Sequence, residues 1–136
     1  MIKRYLSAIV LAPLAGGAAV FLTGFIATVA ADLHSIHEGI TSSSGLAFWA
    51  TIICFVYVLV VGTIAFVYAR VSKRTPPLWV AFAVALVTGV IPFGAASWSE
   101  PTLMGALAFP ALAAISAAAT AWTFWKVALA PLRYAQ

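Results

Sequence analysis

The chain has 136 residues, of which 65% are hydrophobic and 7% charged, with a formal net charge of +4 and a mean hydropathy of +1.12. Water cannot solvate such a surface, and at about 20 apolar residues per crossing of a roughly 30 Å hydrocarbon core four spans leave no room for a soluble domain. Nor does the positive charge point to nucleic acid, because the basic residues are scattered over three short segments and not gathered on one face.

The apolar runs predict an all-α integral membrane protein, one transmembrane domain whose four helices cover 5–31, 46–69, 78–96 and 103–129. Connections of about 14, 8 and 6 residues favour an up-down-up-down bundle. The charges sort by sign. Lys3, Arg4, Arg70, Lys73, Arg74, Lys126 and Arg133 flank one set of span ends, while Asp32, Glu38 and Glu100 occupy the other two connections. That is the positive-inside pattern, so an N-in/C-in protein of a bacterial inner membrane is expected. Tyr5, Tyr68, Trp79 and Trp122 fall near the cytoplasmic ends and Trp49 and Trp98 near the opposite ones, the headgroup levels that such rings favour. Anionic lipid headgroups are the expected partners on the cytoplasmic face, each nearby basic residue contributing about 1 kcal/mol.

In the first run, Met1-Ile2-Lys3-Arg4 and the small residues at 15–19 resemble a secretory signal. A signal core is about 7–15 residues long, whereas this run continues to Ala31, so it is expected to stay as a span. Helices in lipid associate through close approach of small residues. Ala12, Gly16 and Gly24, with Ala8 and Gly17, therefore predict a packing face, and Pro13 predicts a kink through its missing donor and its clash with the preceding turn.

Asp32-Leu-His-Ser-Ile-His-Glu38 holds the densest group of chemical side chains. If the first helix continued through it, His34, His37 and Glu38 would share a face and could offer two nitrogens and one oxygen to a divalent metal. Polar residues are also expected wherever a helix leaves the bilayer, and that reading is preferred. Gly39 and residues 41–45 then read as an outer loop.

The second run is β-branched through Ile52, Ile53, Val56, Val58, Val60 and Val61, a composition suited to lipid tails. Tyr57, at mid-span, needs an acceptor for its hydroxyl and is expected to face another helix. Cys54 stands alone, a small apolar group by default. Pro92 and Pro110 predict kinks at similar depths in the third and fourth spans; a rigid bend is preferred to a crevice. In the fourth span Ala113 and Ala117, flanked by Ser116 and Thr120, predict a second packing face.

What the spans lack narrows function further. No Asp, Glu, Lys, Arg or His falls near the middle of any of them, although such groups mark proton relays, coupled carriers and ion paths. Two histidines on one segment do not clasp a haem from opposite sides, and no nucleophile elbow, zinc-protease motif or phosphate loop is present. No enzyme and no cofactor are expected. The preferred function is a non-catalytic accessory, assembly or regulatory subunit of a larger membrane complex. The alternative is an oligomeric transport component, a channel or flippase protomer, since four close-packed helices enclose no lumen.

Overall fold

The computed structural model describes residues 2–31, 36–97 and 103–133. The described residues form four helices and no strand: α1 (Ile2–Ala31), α2 (Ile36–Ser72), α3 (Leu78–Ser97) and α4 (residues 103–133). α1, α2 and α4 are long and apolar enough to cross a membrane; the described apolar stretch of α3, Leu78–Pro92, is shorter. Large side chains such as Leu14, Ile26, Trp79 and Ile91 are more than half exposed, far more apolar surface than a water-soluble monomer presents.

α2 is longer than the apolar run that predicts it. Residues 41–45 are helical, not a loop, because the hydroxyls of Thr41, Ser42 and Ser44 donate to the carbonyls of His37, Glu38 and Ile40, one turn back along the helix. Bonding within the helix removes the usual tendency of these side chains to draw the backbone into turns. Gly39 and Ser43 are buried, so this turn also packs: a Cβ on Gly39 would touch Thr28, and one on Gly24 would come within 3.0 Å of the Ser43 hydroxyl.

Two helices change gauge along their length. A π-helical turn occupies Val58–Gly62 in α2 and another Trp125–Leu129 in α4. α2 ends at Ser72, with Lys73 in the left-handed region at φ 52°, and Pro76 and Pro77 lead into α3. Trp125 Nε1 donates to the Pro76 carbonyl at 3.0 Å, tying this connection to α4.

α1 is the centre of the assembly, packing along α2 on one side and α4 on the other, while α3 packs on α4. Pairings run in opposite order along α1 and α2: Tyr5 meets Thr63, Gly16 meets Cys54, Gly17 meets Thr51, and Gly24 meets Ser43. At the Tyr5 end lies the main apolar cluster, with Ala8, Ala12, Val58, Phe66, Phe124 and Leu129 among its members. Tyr5 stacks on Phe66 at 4.5 Å and meets Phe124 edge-on at 6.4 Å. Val58, expected to face lipid, is 1% exposed. The π turn in which it sits presents it to α1, whereas Ile53, Val56 and Val60 do point outward.

Candidate functional site

The backbones of α2 and α3 stay apart, and the space between them is the most distinctive feature of the molecule. It divides into two cavities. The one on the Arg74 side holds about 670 Å³ and is walled by Val61, Ile64, Val80, Ala81 and Val84, with Arg74 at its mouth. The second, about 420 Å³, runs the other way past Trp49, Ile53, Gly89, Pro92 and Phe109. Tyr57, Ala85 and Thr120 line both and mark the waist.

The waist is polar but uncharged. The hydroxyls of Tyr57 and Thr88 are hydrogen-bonded at 3.0 Å, and the Thr88 hydroxyl also reaches the Val84 carbonyl at 2.6 Å. A hydroxyl has one proton. With that of Thr88 committed to the carbonyl, the Tyr57 phenol is the donor across the gap. This is the acceptor that mid-span Tyr57 requires, and it bridges two helices whose backbones do not meet.

Behind the waist, α1, α2 and α4 meet in a knot of small polar residues. Cys54 Sγ lies 3.1 Å from Ser116 Oγ. Thr120 is 1% exposed, and its hydroxyl is buried without a hydrogen-bond partner. Other hydroxyls in these helices, such as those of Thr23, Thr51 and Thr88, donate to the carbonyl four residues earlier. Thr120 instead turns toward Gly16, occupying the space where a Cβ would stand; Cys54 Sγ and Ser116 Oγ would each be 3.0 Å from that Cβ. Glycine at 16 is what lets three helices converge here. At Gly17 a Cβ would overlap the Thr51 hydroxyl and come within 3.1 Å of the Ala47 carbonyl.

Ala12, Gly16 and Gly24 of α1 thus face neighbouring helices, Ala12 fully buried. Ala113 lines the second cavity, as does Ala117, whose Cβ would stand 3.3 Å from a Cβ on Gly89 of α3. Pro13, Pro92 and Pro110 each lie within a helix. Pro13 is buried and Pro110 partly so, while Pro92 is exposed on the cavity wall. The crevice at this level opens between α2 and the α3–α4 hairpin.

His34 lies outside the described residues, as do Asp32 and Glu100. His37 and Glu38 are exposed in the first turn of α2. Among the described residues no three His, Cys, Asp or Glu side chains gather to hold a metal.

Sequence reasoning singled out Gly16, Gly17 and Tyr57 but missed Cys54, Thr51 and Thr88 as their respective counterparts. The signal was available. Ser43, Ala47, Thr51, Cys54, Val58 and Gly62 recur at steps of three and four and form one face of α2, hidden among the β-branched residues that cover its other sides. No protein-family model, curated protein or solved structure matches this chain, so the reading of the site rests on its own geometry.

Proposed function

We propose that this protein is a small four-span protein of a bacterial inner membrane, arranged up-down-up-down with the start of α1 and the end of α4 on the cytoplasmic side, and that it serves as a non-catalytic accessory, assembly or regulatory subunit of a larger membrane complex. Opposite pairing order along α1 and α2 supports the up-down course, and the basic residues at one set of helix ends support the orientation. One observation carries the functional reading: apart from the unpaired Thr120 hydroxyl, the polar groups that link the helices are hydroxyls and a thiol engaged with one another, while every charged side chain of described placement is exposed. Such an interior ties helices together, and among the described residues it holds no charged side chain to carry a proton or an ion.

A transport role is the second reading, and the two cavities meeting end to end at Tyr57 and Thr88 favour it. Because their walls are apolar, the species moved would be a lipid-like one and not an ion. Native mass spectrometry of protein released gently from its own membrane separates the two. A larger co-purifying membrane protein at fixed stoichiometry is the expected result; a homo-oligomer alone would replace the accessory reading with the transport one.

A further inference from the structure

The cavity on the Arg74 side has the shape and chemistry of a seat for one lipid chain. At about 670 Å³ it falls within the roughly 300–1,000 Å³ of specific small-molecule sites. It is open along one side, between α2 and α3, so an occupant enters from the plane of the membrane and not from water. Its length matches one leaflet: from Tyr57 at the waist to Tyr68 near the mouth α2 rises about 16 Å, half of the roughly 30 Å hydrocarbon thickness. The walls are aliphatic along that length, through Val61, Ile64, Val80 and Val84.

The mouth has the opposite character. Arg74 lines it together with Thr75 and Tyr68, and Arg70 and Lys73 are exposed on the same turn and connection. No acidic residue lies between positions 39 and 99 of the sequence to neutralise this group. The connection carrying Arg74 is held in place by the Trp125 bond to Pro76, and both π turns contribute to the inner wall, through Val58, Gly62 and Leu129. Single π turns inside α-helices are frequent at functional sites.

We infer that this half of the cleft binds one anionic phospholipid of the leaflet on the basic side, an acyl chain lying between α2 and α3 as far as Tyr57 and the phosphate resting on Arg74. The site rests on the membrane-spanning reading but not on the accessory role. An uncharged hydrophobe fits the walls and leaves the arginine unused; a partner helix would bring a second backbone of about 10 Å diameter to a gap that the Tyr57–Thr88 hydrogen bond holds closed at its inner end.

Delipidated full-length protein in mild detergent, titrated by native mass spectrometry with phosphatidylglycerol and phosphatidylcholine of identical chains, tests this directly. The first lipid bound should be phosphatidylglycerol, preferred by about fivefold, the worth of one basic residue beside a headgroup. Arg74→Gln, at an exposed position, should abolish most of that preference while leaving one chain bound. Ala81→Trp should block the first binding event for both lipids. Equal affinity for the two lipids in the wild type, or an unchanged preference in Arg74→Gln, would overturn the headgroup assignment; stoichiometric high-affinity binding to folded Ala81→Trp would overturn the cavity. Cross-linking from Ala81→Cys, in a Cys54→Ser background, to another polypeptide in native membranes would give the cleft to a partner helix instead. Co-purification of a larger complex is unaffected by any of these outcomes, so the two proposals fail separately.

Discussion

Gly16 and Thr120 are a coupled pair. A methyl at 16 collides with the Thr120 hydroxyl, and overpacking of this kind typically costs about 1–3 kcal/mol. Gly16→Ala should lower the melting temperature in detergent; Thr120→Ala alone, which removes a buried hydroxyl that bonds to nothing, should change it little. Combining them should recover part of the loss, since Cys54 and Ser116 still crowd the site, and a coupling within the roughly 0.5–3 kcal/mol range of contacting residues is expected. Additive effects would break this account of the knot. Gly17→Ala behaves differently: even with Thr51→Ala the Ala47 carbonyl remains at 3.1 Å, and backbone cannot step aside. Val58→Leu should destabilise the protein whereas Val60→Leu should not, a contrast measurable in the same melts. Val58 is buried and Val60 is 55% exposed. Residue composition points the wrong way for Val58, because β-branched side chains suit lipid and core equally, and only the face on which each falls distinguishes them.

At the scale of elements, apolar length and small-residue spacing in the sequence foretell the helices and the α1 packing face. Two things were not legible. The start of α2 was hidden because serine and threonine are turn formers by composition, and their bonds to the carbonyls of Glu38 and its neighbours depend on the helix already existing. The separation of α2 from α3 was hidden because it follows from which faces α1 and α4 claim, a contest that no single segment records. The course of the chain is open to test with cysteines in a Cys54→Ser background. At Ser42 and Ser72, both exposed, an impermeant thiol reagent added to intact cells should label the first and spare the second; equal labelling would defeat the four-span orientation. Ser43 is unsuitable as a reporter because it is 1% exposed. At the end of α2, Lys73 sits in a backbone region that costs a residue with a Cβ about 1–2 kcal/mol. Lys73→Gly should therefore raise the melting temperature, and a fall would mean that its ammonium contributes more than its backbone costs.

For the molecule as a whole, the bundle is built asymmetrically around α1, with closure on one side and a cleft on the other. Among the described residues no three metal-ligating side chains gather. Replacing His34 and His37 together by Ala should leave melting unchanged with and without a chelator, because a structural metal would contribute on the order of 10 kcal/mol; stoichiometric metal lost in the double variant would reopen an enzymatic reading. The paired π turns carry a consequence of angular phase. The α2 face runs from Ser43 to Ala69 in seven steps, a mean period slightly above the roughly 3.6 residues of an α-helix, so on a straight α-helix it would wind away by about 80°. Repeats of such period ordinarily coil a helix pair in a right-handed sense. Here the wider turn at Val58–Gly62 absorbs the drift locally, and the α2 face keeps its pairing with α1 from Ser43 to Thr63. Deleting one residue from that turn would subtract about 100° of rotation while the return to α geometry gives back the roughly 80° absorbed there, so Phe66 would stay on the Tyr5 ring and Arg74 at the mouth of the cleft to within about 20°.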